Sequence, residues 1–201
     1  MQQAADFPQE LLDLYDHYAH GLIDRRTFIQ RAAQYTTAGM TAAALLQALS
    51  PHYARAQQVA ADDARIHSER VSYLHTHPSC NGRVGVVGFC FGGAVANALA
   101  IALPDVIRAA VPFYGMQPAA ADVPKIKASL LVHYAEFDGR VNAGWPDYQA
   151  ALDAHGIDYA VHFYPGVNHG FHNDSTPRYN AAAARLAWDR TIAFFREQLG
   201  A

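Results

Sequence analysis

Cys90 stands in Gly88-Phe89-Cys90-Phe91-Gly92-Gly93, directly after the apolar run Val84-Gly85-Val86-Val87 and directly before an alanine-rich run that reaches Leu103. A Gly-x-Cys-x-Gly turn between a strand and a helix is a nucleophile elbow with cysteine in the place of serine. The chemistry on offer is attack by a thiolate on a carbonyl carbon. A helix beginning near Gly92 puts positive dipole charge beside the sulfur, and the Phe91 amide is placed to donate to the oxyanion that forms. The sharp turn predicts that side chains at Gly88 and Gly92 would collide with neighbouring backbone, and that the nucleophile itself is strained. Glycine-rich turns around a structural cysteine occur in other α/β folds as well, so the weight falls on whether partners for Cys90 exist.

They follow in order. Ala109 to Tyr114 is a second apolar strand ending at Gly115, and Ser129 to Ala135 is a third, leading into Glu136-Phe137-Asp138-Gly139-Arg140. Asp138 thus falls just past the end of a parallel strand, where open α/β sheets place functional groups and where a carboxylate can orient a histidine. Asp-Gly is also an ordinary turn. A fourth strand, Tyr159 to Tyr164, runs into Pro165-Gly166-Val167-Asn168-His169-Gly170-Phe171-His172, and a final helix covers Tyr179 to Leu199. Nucleophile, acid and histidine in that chain order form the α/β-hydrolase pattern. His169 follows the turn directly and is the expected base; His172, one step nearer the polar Asn173-Asp174-Ser175, is a substrate contact or a surface residue.

Gly-Phe-Cys-Phe-Gly-Gly at 88–93, Phe-Tyr-Gly at 113–115, Asp138 after its strand and Pro-Gly-Val-Asn-His-Gly-Phe at 165–171 together resemble the dienelactone hydrolase family from about Arg83 to the C-terminus. The resemblance implies hydrolysis of an ester or lactone through a Cys90 thioester. It gives His169 the role of base and then acid, Asp138 that of its orienter, and needs no cofactor.

Two departures stand beside it. The family has several strands and helices ahead of the elbow, and residues 57–81 are far too few for them. The strand beside the nucleophile strand, the loop with the second oxyanion donor, and a glutamate that meets the nucleophile belong to that stretch; Glu69 is its only late acidic residue and is no convincing match. The family also resembles itself in an arginine four residues after the histidine, where this chain has Asn173. Arg140 and Arg178 are close in sequence and are candidates to bind an anion, although solvated surface arginines are the commoner outcome.

The N-terminal third reads as helical. Asp6 to Gly21 is an amphipathic run with Asp6 as cap, Gln9 three residues on, and Leu11, Leu12 and Tyr15 on one face. A second helical run starts at Asp24 and continues through the alanine-rich stretch Ala38 to Leu49. Arg25-Arg26, that weakly apolar stretch and Ala54-Arg55-Ala56 resemble in their order a twin-arginine export signal; a helical hairpin docked on the catalytic domain is the alternative. Export places the protein in the periplasm, the hairpin leaves it in the cytoplasm. The stretch is too short and mild for a permanent membrane anchor.

A formal charge of −3 with no basic run excludes an electrostatic footprint for nucleic acid, and 51% hydrophobic residues with 16% charged describe a folding chain. Cys80 and Cys90 form no CxxC pair, which removes a disulfide framework and weakens a thiol-redox reading. His75, His77 and Cys80 lack the further ligands of a zinc site, so no metal is expected. The sequence therefore predicts a helical leader over 1–56 and a truncated α/β-hydrolase over 57–201, with a mostly parallel sheet flanked by helices. Its partner is a small ester or lactone. The rival reading is an impaired remnant that keeps the triad and associates with itself through an exposed sheet edge.

Overall fold

The computed structural model describes residues 6–36, 40–51 and 80–200. Glu69, His75, His77 and the small residues at 54–56 lie outside the described residues.

Four strands, β1 (Val84–Phe89), β2 (Ile107–Phe113), β3 (Ser129–Phe137) and β4 (Tyr159–Asn168), pair in parallel in the order β1-β2-β3-β4. Consecutive parallel strands require crossovers, and helices supply them: α4 (Phe91–Ala102) between β1 and β2, and α5 (Gly139–Asn142) and α6 (Trp145–Ala154) between β3 and β4. Because strand side chains alternate, β3 is apolar on both faces. Leu130, Val132 and Tyr134 pack with Trp145, Tyr148 and Leu152 of α6 on one side. Leu131 and Ala135 pack with Ala187 of the last helix, α7 (Ala181–Leu199), on the other. Helices thus cover both faces of the sheet, as expected.

The N-terminal residues form a separate core. α1 (Gln9–Ala19), α2 (Arg25–Ala32) and α3 (Ala42–Leu49) bury Leu11, Leu12, Tyr15, Phe28, Leu45, Leu46 and Leu49 against one another. Two expectations need correction here. The N-cap of α1 is Pro8 rather than Asp6, and it makes no side-chain cap bond, because a proline ring carries no acceptor to offer the first-turn amides. The second helical run is two helices, because the Thr41 hydroxyl accepts from the Ala44 amide and starts α3 anew. Asp24 caps α2 as read, accepting from the Thr27 amide. Among the described residues no helix is long and apolar enough to cross a membrane.

β1 has a strand partner on one side only among the described residues, β2. Gly85 in this strand lies against α7, where an added Cβ would come within 2.7 Å of the Phe195 ring.

Candidate active site

The chain reverses from β1 into α4 within one residue. Cys90 takes φ 57° and ψ −117°, a conformation L residues rarely adopt, and its amide donates to the Phe113 carbonyl at 3.0 Å. Neighbours hold that strain in place. A Cβ at Gly88 would fall 1.9 Å from the Gly92 carbonyl oxygen, and one at Gly93 would fall 2.7 Å from that of Phe113. The close approach therefore needs glycine at 88 and 93. Gly92, expected to be equally crowded, faces open space.

Phe91 is the first residue of α4, so its amide belongs to the first-turn donors that have no acceptor within the helix.

β3 delivers Asp138 one residue past its end, where Oδ1 accepts from the Val141 amide and caps α5. Oδ2 accepts from His169 Nδ1 at 2.6 Å, and both side chains are almost wholly buried. That bond fixes the tautomer: Nδ1 carries hydrogen, and Nε2 is left facing Cys90 Sγ at 3.2 Å. Burial disfavours a charged His169 imidazole, but the bonds to Asp138 and Cys90 outweigh it, and the group titrates above its usual range.

His172 reaches neither Asp138 nor Cys90 by any hydrogen bond described. Its ring lies against Phe89, Phe113 and Trp188 with centroids 4.9, 5.3 and 5.9 Å away, and burial pushes its titration down. It is a wall of the cleft rather than a surface residue. That cleft, about 540 Å³, is lined by Phe89, Cys90, Phe91, Tyr114, His169 and His172.

One residue of the site is missing from the sequence reading. His20, one residue past the end of α1, places Nε2 3.3 Å from Cys90 Sγ. Its Nδ1 lies 2.8 Å from the Asp16 backbone carbonyl and 3.3 Å from the Asp16 carboxylate. Both partners are acceptors, so Nδ1 carries hydrogen and Nε2 is turned to the sulfur, the same arrangement as in His169. Asp16, the Cys90 sulfur and the backbone carbonyl outweigh the cost of burial and raise His20 from 6.5 to about 10. For Cys90, burial opposes ionisation, yet hydrogen bonds from His169 and His20, with their charge, bring the thiol from 9.0 to about 6.

The two candidate anion-binding arginines are engaged by the same helix. Arg140 Nε donates to Asp16 Oδ2 at 3.1 Å, and Arg178 Nη1 donates to Oδ1 at 3.4 Å while lying over the Tyr15 ring at 5.2 Å. Arg178 is buried, against the expectation of a solvated surface residue. Burial would raise Asp16; His20, the His169 charge and Arg140 overcome it and hold the carboxyl far below its usual range.

Among the described residues His20, Cys90 and His169 are the set whose side chains converge closely enough to hold a metal, with ligand atoms within 4.8 Å. The Sγ–Nε2 separations of 3.2 and 3.3 Å lie within hydrogen-bond range for sulfur. Cys80 is exposed and free.

Residues 30–199 match the sequence profile of the dienelactone hydrolase family. The chain belongs to that family. The match reaches further toward the N-terminus than the motifs themselves, and residues 1–36 match a second profile described as YqhI-like. The chain is 39% identical over 120 residues to protein usf of Aquifex pyrophilus, covering 58% of this chain and 52% of that protein. It is 34% identical over 128 residues to carboxymethylenebutenolidase of Pseudomonas putida, covering 62% and 52%. In structure it is similar to a dienelactone hydrolase-like promiscuous phosphotriesterase from metagenomic libraries, with a TM-score of 0.52 and 25% identity over 57% of this chain and 52% of that one. The chain spans about half the length of the curated relatives it matches.

Proposed function

We propose that the protein hydrolyses a small carboxylic ester or lactone through Cys90, His169 and Asp138, by way of a thioester on Cys90. The observation that carries this reading is the continuous line Sγ to Nε2 at 3.2 Å and Nδ1 to Oδ2 at 2.6 Å, held beside a helix N-terminus at the mouth of the cleft. Family membership supplies the substrate class.

In the first half-reaction the Cys90 thiolate forms a bond to the carbonyl carbon, and the carbonyl electron pair moves onto oxygen. The Phe91 amide donates to that oxyanion. Its collapse breaks the ester bond, and the leaving alkoxide takes the proton from His169 Nε2. In the second half, His169 removes a proton from water as the water oxygen attacks the thioester. Collapse then returns the electron pair to sulfur and releases the acid, which loses its proton to solvent. Asp138 keeps Nδ1 protonated and the ring aligned throughout. His172, its ring tilted against Phe89 on the wall of the cleft, is proposed to contact substrate; Arg140 is held by Asp16 and is not among the residues that line that cleft.

The alternative is an impaired remnant, favoured by the single strand partner of β1 among the described residues. Incubation with an activated acetyl ester separates the two. A hydrolase shows a transient acetyl adduct on Cys90 and steady turnover, whereas a remnant shows either a lasting adduct or none. Turnover falls on the order of a thousandfold or more in His169→Ala and much less in His172→Ala; a loss confined to His172→Ala would remove His169 from the role of base.

A further inference from the structure

We propose that His20 is a second catalytic histidine, contributed by the N-terminal helical unit, whose imidazolium keeps Cys90 as a thiolate and steadies the sulfur whenever charge returns to it. The inference rests on the hydrolytic reading above and adds a residue that none of the family motifs in the chain contains.

The geometry sets two histidines on one sulfur. Cys90 Sγ lies 3.2 Å from His169 Nε2 and 3.3 Å from His20 Nε2, and the imidazole rings meet edge to face at 4.8 Å. Each has a carboxylate behind Nδ1, Asp138 for His169 and Asp16 for His20. Asp16 is itself anchored to the hydrolase body by Arg140 and Arg178, so the His20 end of α1 is tied down on two sides. Gln9, at the other end of the helix, donates to Asn168, the residue before His169. Such a set of contacts is not needed to bury an apolar helix, whose own core is with α2 and α3.

The two imidazoles divide the work. His169 must change protonation in each half-reaction, giving its proton to the leaving alkoxide and taking one from water. Between those events it is neutral and leaves the sulfur without its charge. His20 keeps its proton throughout, since Asp16 stabilises the cation. It stands beside the thiolate before attack, loses that partner when the S–C bond forms, and regains it when the bond breaks. No proton leaves His20 at any step, and the balance of the reaction is unchanged. Its Nε2–H also lines the cleft next to Phe91, in a chain whose described residues include no strand beyond β1 to bring another donor.

The test follows thiolate formation directly, by absorbance near 240 nm and by the rate of iodoacetamide alkylation against pH, in a Cys80→Ser background of the full chain. The charged and titratable groups facing the pair are Asp16, Arg140, Tyr114, Asp138, His169, His172, Asp174 and Arg178; all stay in place. His20→Ala and His20→Gln are each expected to lower the alkylation rate at pH 6 about tenfold while leaving the plateau at high pH unchanged. Gln keeps a donor without a charge, so a loss in that variant, with an unaltered circular dichroism spectrum, assigns the effect to the imidazolium. A Gln variant that titrates like the parent overturns the proposal, whatever happens to Ala. The titration needs no ester. A chain that hydrolyses nothing can still show the shift, and a working hydrolase indifferent to His20 loses only this inference.

Discussion

The Nε2 atoms of His20 and His169 approach the Cys90 sulfur from two sides, at 3.3 and 3.2 Å, although the two histidines belong to units with separate cores. Each imidazole is aligned by a carboxylate on its own unit, Asp16 or Asp138. The thiol is thus the point at which the N-terminal helices and the hydrolase sheet meet.

The first consequence is a difference between the two cysteines. Cys90, with its thiol brought down to about 6, is mostly thiolate at neutral pH, and its alkylation rate should rise through that value and level off by pH 8. Cys80 is exposed, and among the described residues no base is hydrogen-bonded to it. Peptide mapping after brief alkylation at pH 7 should find label on Cys90 at least about tenfold ahead of Cys80. Equal labelling would leave the elbow without its electrostatic basis.

Asp16 should matter more to stability than a surface carboxylate does. Asp16→Asn leaves the buried Arg178 and the half-buried Arg140 facing a neutral amide, a loss on the order of 3 kcal/mol and several degrees in Tm. The pH windows have opposite signs. Asp16 titrates below its ordinary 3.8 in the folded chain, so its contribution is complete above about pH 5 and fades as the pH falls. His20 is raised from 6.5 to about 10, so its contribution is complete below 6.5 and is lost as the pH climbs toward 10. Thermal melts from pH 3 to pH 10 should show both limbs in the parent and flatter ones in Asp16→Asn. Superimposed profiles would mean that the cluster contributes nothing to stability.

Much of the hydrolase half was legible because its signals are local. β1 begins and ends where the apolar run and the Gly-x-Cys-x-Gly turn place it, and Asp138 and His169 each lie just after a strand, as their sequence positions imply. β4 runs four residues longer than read. Pro165-Gly166 looks like a stop, but the ladder passes through an irregularity, helped by the Gly166 amide donating to the Glu136 carboxylate at 2.7 Å. His20 was not legible. Its signal is an i,i+4 Asp-His pair on a helix whose leucines already explain its amphipathic pattern, and seventy residues separate it from the sulfur it touches. The engagement of Arg140 and Arg178 by Asp16 is hidden for the same reason: the contact is tertiary, and no spacing encodes it.

The placement of His20 bears on the leader. An export signal cleaved near Ala56 would take His20 and Asp16 away with it, whereas a leader that stays attached keeps them on Cys90. We predict retention: the intact mass of the protein recovered from cells should include residues 1–56, with or without Arg25 and Arg26 replaced by lysine. Secretion that depends on both arginines, together with a mature chain beginning after residue 20, would restore the export reading.

The last prediction concerns β1, which among the described residues has a strand partner on one side only. A strand with a partner on one side presents a row of amides and carbonyls to whatever approaches, and such rows pair with other chains unless charge, proline or a covering element protects them. Val84-Gly85-Val86-Val87-Gly88 carries neither charge nor proline, and most of it is partly exposed. Phe195 and Leu199 of α7 pack over Gly85, but they cover the face of the strand, and a helix cannot supply ladder hydrogen bonds. The protein should therefore self-associate, with the weight-average sedimentation coefficient rising as concentration increases. Turnover should lie about a hundredfold to a thousandfold below that of the longer relatives if one oxyanion donor is lacking. A concentration-independent monomer with turnover equal to theirs would require both the edge and the oxyanion hole to be completed by residues of the chain itself.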